Sequence, residues 1–205
     1  MRAVYPARWP LRTSSDPSRF AGATRLQLHR GGWETKPGWI IVNVEERDGV
    51  DVRSSVTDLS MFPDRSAVEI YASHVYEHLG YQQELHDALA EASRVLMPGG
   101  RLRVAVPDLE VLCRLFLERG SDLQAQFMVQ RMIMGGQMEP FDFHKTGFSE
   151  PILKALLREH GFTDVHRVDD FKVFNDTSTL AFQGVPIRLN LQCTRGPIHG
   201  RRGAC

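Results

Sequence analysis

The sequence predicts one α/β domain, an open sheet of mostly parallel strands covered by helices. Three observations carry that expectation. The 205 residues suit a single sizeable core. With 42% apolar and 24% charged residues the usage is globular, which excludes a disordered, collagenous or coiled-coil body. Short apolar runs alternate with helical stripes along the chain, and no internal repeat interrupts them.

The elements follow in order. Residues 1–24 are rich in Pro, Arg and Ser, with Asp16 the one acid, and read as an irregular arm. The apolar runs Trp39–Val44 and Ala67–Ala72 read as buried strands. From Gln83 to Leu96 a helix is expected, because Leu85, Leu89, Ala92 and Leu96 recur three or four residues apart and Pro98-Gly99 stops the pattern. Leu102–Val106 is the next strand, bounded by the Pro98-Gly99-Gly100 turn and Pro107. Asp108 can cap a second helix whose stripe Leu109, Leu112, Cys113 and Phe116 places Cys113 in the core, with Gly120 at its end. A third helix starts at Ser149, accepts Pro151 in its first turn, buries Ile152, Leu153, Leu156 and Leu157, and ends at Gly161. Two late strands are expected over Val165–Phe174 and Ile187–Cys193, and residues 195–205 read as a basic tail. The folded domain is thus placed at 25–194.

Charge and cysteine usage narrow the function. The 25 basic residues balance 25 acidic ones, so no global field collects phosphate backbones and no nucleic-acid partner is implied. No apolar stretch approaches the roughly 20 residues of a membrane helix, and the Arg- and Pro-rich start lacks a secretory apolar core. A cytoplasmic protein is expected. Cys113, Cys193 and Cys205 are odd in number and widely spaced, which suits reduced thiols better than a disulfide framework or a zinc site.

In open α/β sheets the ligand sits beyond the carboxyl ends of the strands. Those ends are His29–Gly32, Asn43–Glu46, Thr57-Asp58, Ser73–His78 and Pro107-Asp108. Two ordered motifs fall among them: Glu69 to Leu79, containing Ser73-His74-Val75-Tyr76-Glu77-His78, and Arg94-Val95-Leu96-Met97-Pro98-Gly99-Gly100. Together they resemble the middle of class I S-adenosylmethionine-dependent methyltransferases, over about Arg25 to Thr194. Gly135-Gly136-Gln137 through Phe148 further resembles a subgroup of small predicted methyltransferases.

The resemblance implies a Rossmann-like seven-stranded sheet with helices on both faces, an antiparallel last strand, and S-adenosylmethionine over the ends of the first strands. It places His29, Gly31 and Gly32 in the family's Gly-rich turn, although His29 occupies the first glycine position. Asn43 stands where the family's acid binds the ribose hydroxyls; an amide keeps an acceptor there but loses the charge that strengthens such bonds. Asp58 matches the acid that contacts adenine, and Ser73 completes the cofactor contacts.

Methyl transfer mainly requires alignment of donor and acceptor, and a base only when the acceptor carries a proton. The resemblance puts His74 near the acceptor, as a base or substrate contact, or else as a polar group that ties a loop. Glu77 and His78 favour a structural role. His74 and His78 would share a helix face and could bind a metal, yet no third ligand is evident, so no metal is assigned. Asp142, His144 and Lys145 lie in a loop that can close over the crevice, and Asp142 and His144 join His74 as candidate catalytic residues. Asn175 to Ser178 reads as a hairpin turn, and Met128, Met132, Met134 and Met138 as a flexible apolar wall. The expected activity is methyl transfer to a small organic acceptor. The alternative is a methyltransferase fold that has lost the reaction, serving as a binding subunit or using the pocket for cyclisation or isomerisation. Oligomeric state is left open.

Overall fold

The computed structural model describes residues 24–29, 34, 36–118 and 122–197. The expected arm, except Thr24, and residues 198–205 of the tail lie outside them. Seven strands form one sheet: β1 Thr24–His29, β2 Trp39–Asn43, β3 Val52–Arg53, β4 Ala67–Ser73, β5 Leu96–Pro107, β6 Phe162–Arg167 and, after a small hairpin of β7 Ala181–Phe182 and β8 Val185–Pro186, β9 Arg188–Arg195. Their order is β3-β2-β1-β4-β5-β9-β6. The ladders joining β3, β2, β1, β4 and β5 are parallel, and β9 runs antiparallel to both β5 and β6. Among the described residues four α-helices accompany the sheet: α1 Glu84–Val95, α2 Leu109–Glu118, α3 Leu123–Met134 and α4 Glu150–Glu159. The expected α/β class and reversed last strand are both present.

Strand alternation splits the buried side chains between two faces. On one face Leu26, Leu28, Val42, Ile70, Ala72, Leu102, Val104, Leu189 and Leu191 join Leu85 and Leu89 of α1 and Leu153 and Leu157 of α4 in a single core. On the other face Tyr71 and Ala105 meet Phe171 and Phe174, with Trp39 packed against them. The rings interlock: Tyr71 and Phe174 have centroids 4.9 Å apart, Tyr71 and Phe171 5.5 Å, and Trp39 and Phe174 5.1 Å. Edge-on and tilted aromatic pairs of this kind contribute about 0.5–1.5 kcal/mol beyond area burial. Further down β4, Glu69 gathers Arg25, Arg101 and Arg103.

This aromatic packing explains one departure from expectation. The run Val165–Phe174 is not one strand; β6 covers 162–167 and stops. Residues 168–174 instead fold onto the sheet, because Phe171 and Phe174 bury against Tyr71 and cannot at the same time continue the ladder beside β9. Cys113 is exposed, not core, since α2 buries Leu112 and Leu115. Ile152 is exposed as well, while α4 buries Leu153 and Leu157 one turn apart. The Pro98-Gly99-Gly100 turn proves to be an irregularity inside β5, where the register jumps from Ala67↔Leu96 to Glu69↔Arg101. Gly100 is required there: a Cβ would stand 2.8 Å from the Met97 carbonyl oxygen. The methionine wall is largely solvent-facing, with Met128, Met134 and Met138 exposed and Met132 packed against the α2–α3 cluster.

Candidate active site at the strand ends

At the end of β2, Asn43 is buried, and its Oδ1 accepts the Glu45 backbone N–H at 2.9 Å. The acceptor that the sequence left available is thus engaged by a local turn, and the side chain retains its amide donors for a ligand. Asp58 is exposed, lies beyond the two-residue β3, and accepts the Ser60 N–H at 3.1 Å. Its loop is pinned from α1: Leu59 N–H donates to Glu91 at 2.7 Å, and Arg94 donates to the carbonyls of Leu59 and Phe62, both at 2.9 Å. Hydrogen bonding from Arg94 and then from Leu59 holds the Glu91 carboxyl below its usual range against partial burial. Gly31, Gly32 and the His29 side chain lie outside the described residues. Ser73, the last residue of β4, is buried, and its Oγ has no hydrogen-bond partner among the described residues. A buried hydroxyl without a partner costs about 1–3 kcal/mol, so a ligand's polar group at this strand end would complete it.

One residue further, His74 takes a left-handed backbone (φ 53°) while its N–H continues the ladder to Ala105 at 2.8 Å. A non-glycine residue held in this region marks a position that its surroundings over-determine. Its Nδ1 lies 2.9 Å from Glu77 Oε1 and its Nε2 3.3 Å from the Thr177 carbonyl oxygen. Both ring nitrogens therefore face oxygens, an arrangement that the imidazolium satisfies and the neutral ring does not. Burial opposes the charge, but Glu77 outweighs it and raises the His74 pKa. Glu77 is 1% exposed. Burial pushes its carboxyl up, and the imidazoles of His74, His78 and His144 together hold it below the usual range. Burial lowers the pKa of His144.

His74 and His78 do not share a helix, because the chain between them turns through a short 3-10 segment, Tyr76–His78. The turn receives the loop that precedes α4. Lys145 and Thr146 donate their N–H groups to the Glu77 carbonyl at 2.7 and 3.1 Å, Thr146 Oγ1 donates to the Leu79 carbonyl at 2.6 Å, and Lys145 pairs with Glu84 at 2.8 Å. His78 and His144 then stack edge to face with centroids 4.9 Å apart. Ligand atoms of Glu77, His78 and His144 all lie within 4.8 Å of one another. The sequence did not show His144 as the companion of Glu77 and His78, since a loop far along the chain delivers it.

Asp142 stands apart in role. Its carboxylate accepts the Met138 N–H at 3.3 Å, its carbonyl accepts the Gln137 N–H at 3.1 Å, and a Cβ on Gly136 would lie 2.3 Å from its Oδ2. It ties the Gly135-Gly136 turn.

Sequence reading missed the group that seats His74. Tyr71 donates its hydroxyl to the Asp176 carboxylate at 2.9 Å, with Ser178 Oγ 3.2 Å away. Asp176 caps the Thr177–Thr179 turn by accepting the Ser178 N–H at 2.9 Å, and Asn190 donates to the Ser178 carbonyl at 2.9 Å. Residues 176–178 are therefore an anchored turn that presents the Thr177 carbonyl to His74, and not an ordinary hairpin turn. The local signal was the Asp-x-Ser spacing of a capped turn; its partner Tyr71 was not visible.

Residues 38–104 match the methyltransferase domain family. Among solved structures the chain is similar to a SAM-dependent methyltransferase from Archaeoglobus fulgidus, at 17% identity over 87% of this chain and 92% of that one, TM-score 0.53. It is also similar to the CurJ carbon methyltransferase, at 14% identity over 86% of this chain, TM-score 0.51, and it spans 49% of that chain's length. A possible exported protein from Bordetella parapertussis shares the fold at 11% identity over 88% of this chain and 67% of that one, TM-score 0.53. No curated protein matches the sequence. No helix of the described residues is long and apolar enough to cross a membrane. With the methyltransferase-domain match lying across β2 to β5 and the strand order completing the sheet, the chain has the fold of the class I S-adenosylmethionine-dependent methyltransferases.

Proposed function

We propose that the protein transfers a methyl group from S-adenosylmethionine to a small organic acceptor, with the donor over the ends of β1, β2 and β4 and the acceptor beside His74. The observation that carries this reading is the end of β4, where a buried Ser73 hydroxyl with no hydrogen-bond partner among the described residues adjoins His74, whose Nδ1 lies 2.9 Å from Glu77 Oε1. The residues fit the donor in this way: Ser73 would meet its amino-acid part, Asn43 would donate to a ribose hydroxyl, and Asp58 would face the adenine. When bound, the group supplies an activated methyl on a sulfonium. The chain's own contribution is position and field. With both nitrogens facing acceptors, His74 acts as a fixed cation that orients the acceptor rather than as a base, and Tyr71 and Asp176 are positioning residues behind it.

The test is to incubate the full chain with methyl-labelled donor and a panel of small hydroxyl, amine and carbon acceptors, and to follow S-adenosylhomocysteine. Acceptor-dependent product supports the reading. Tight donor binding with no product from any acceptor would sink it in favour of a binding subunit, the second reading that the engaged Asn43 oxygen favours.

A further inference from the structure

Among the described residues, the Glu77 carboxylate is buried with an oxygen that accepts no hydrogen bond. It is 1% exposed; Oε1 lies 2.9 Å from His74 Nδ1, and Oε2 accepts no hydrogen bond from any described residue. A buried carboxylate with unfilled lone pairs is expensive unless a cation completes it. Two imidazoles stand next to it: His78, whose Nδ1 lies 3.2 Å from the Phe143 carbonyl oxygen, and His144, whose ring meets that of His78 edge to face. A carbonyl on one ring nitrogen fixes the tautomer, which is how metal-binding histidines are oriented.

We propose that Glu77, His78 and His144 form a binding site for a divalent first-row cation such as Zn²⁺, Mn²⁺ or Co²⁺. Two imidazoles with one carboxylate suit these ions better than Mg²⁺ or Ca²⁺, which prefer all-oxygen sets. Ligand bonds of about 2.0–2.2 Å bring donor atoms about 3–3.5 Å apart. The present set, within 4.8 Å, closes onto an ion by small shifts of the loop that carries His144. His74 remains on Glu77 Oε1 as the outer partner of a ligating carboxylate, in keeping with the support such ligands receive.

Three protein ligands leave coordination positions open for water or substrate. Because the cluster adjoins His74, an acceptor that reaches it presents an oxygen, a hydroxyl or enolate, to the ion. That acceptor class rests on the methyl-transfer reading; the metal site does not.

The experiment uses the full chain, stripped with chelator, dialysed, and titrated with Zn²⁺, Mn²⁺ and Co²⁺ in the absence of S-adenosylmethionine. Calorimetry reads stoichiometry, and the visible absorption of Co²⁺ reads imidazole ligation. One equivalent is expected. In His144→Ala and His78→Ala affinity should fall by at least about 100-fold, since outer partners alone are worth about 10–100-fold. Circular dichroism and a thermal melt check that each variant is folded, and His144→Gln serves if the alanine variant is not. His86→Ala is the control, because His86 Nδ1 and His160 Nε2 lie 3.2 Å apart and form a second histidine pair. The proposal is overturned by absence of binding in the stripped chain, by binding that survives loss of His78 and His144, or by binding lost only in His86→Ala. Failure of methyl transfer leaves all of these readouts unchanged.

Discussion

At the ends of β2 and β3 the polar side chains serve the backbone that carries them, whereas at the end of β4 they serve one another. Asn43 closes a turn onto Glu45, and Asp58 closes one onto Ser60, two residues away in each case. His74, by contrast, is held by Glu77 and by Thr177, and Thr177 is set in place by Tyr71 through Asp176. Glu77 in turn faces imidazoles from its own turn and from the loop before α4. Local turns hold a ligand's edges with little commitment of buried charge. A long-range ionic cluster fixes groups in one geometry and makes the site depend on the whole sheet being folded. The strand ends therefore differ in what holds them, local turns after β2 and β3 and a long-range cluster of charged groups after β4.

That contrast can be broken most forcefully at Glu77. Replacing it with Ala leaves His74 without its counter-charge in a buried setting, and a loss of about 3–5 kcal/mol is expected. Asp58→Ala, at an exposed position, should change stability by less than about 0.5 kcal/mol. Denaturant midpoints of the two variants check this, and equal losses would remove the distinction. Next in size is Tyr71→Phe, which deletes the donor to Asp176 and should cost about 1.5–3 kcal/mol if the carboxylate is charged. Under the account it also lowers turnover without changing donor affinity, because it acts through the Thr177 carbonyl on His74. A loss of donor affinity instead would place Tyr71 on the other side of the site.

Asn43→Asp sharpens the donor side. A carboxylate there would accept from the ribose hydroxyls in place of the amide's donation, and a charged acceptor makes such a bond about twice as strong, so S-adenosylhomocysteine should bind about fivefold more tightly, roughly 1 kcal/mol. Unchanged affinity would mean that the ribose lies elsewhere. The smallest effect is expected at the α1 pin. Glu91 has its carboxyl pKa lowered, so its contribution is present above the usual carboxylate range and fades as pH falls through the lowered value. Lying partly exposed at the surface, it should shift an acid-denaturation midpoint only slightly, and Arg94→Ala should reduce that shift.

What the sequence disclosed follows the same division. The α1 stripe was legible because Leu85, Leu89 and Ala92 share a face and Pro98-Gly99 ends the pattern, and β4 because a central parallel strand is apolar on both faces. Asn43, Asp58 and Ser73 could be named from strand ends and family resemblance. Val168–Phe174 misled, since its aromatic residues are buried by wrapping onto Tyr71 and not by strand pairing. The pairings of Tyr71 with Asp176, and of Glu77 with His144, leave no periodic trace because the chain segments between them are long and the contacts are made by single side chains. Asp142 was legible as polar, but its contact with the Gly135-Gly136 turn was not, because the close approach that requires glycine there is set by the folded loop.

The most direct test of the central claim is calorimetric titration of the full chain with S-adenosylhomocysteine, repeated with Ser73→Ala and His144→Ala. Binding of one equivalent near the micromolar range, about −8 kcal/mol, is predicted, weakened about tenfold in Ser73→Ala and unchanged in His144→Ala. No heat at millimolar ligand, or a loss in His144→Ala with none in Ser73→Ala, would contradict a donor site at the strand ends separate from the imidazole cluster.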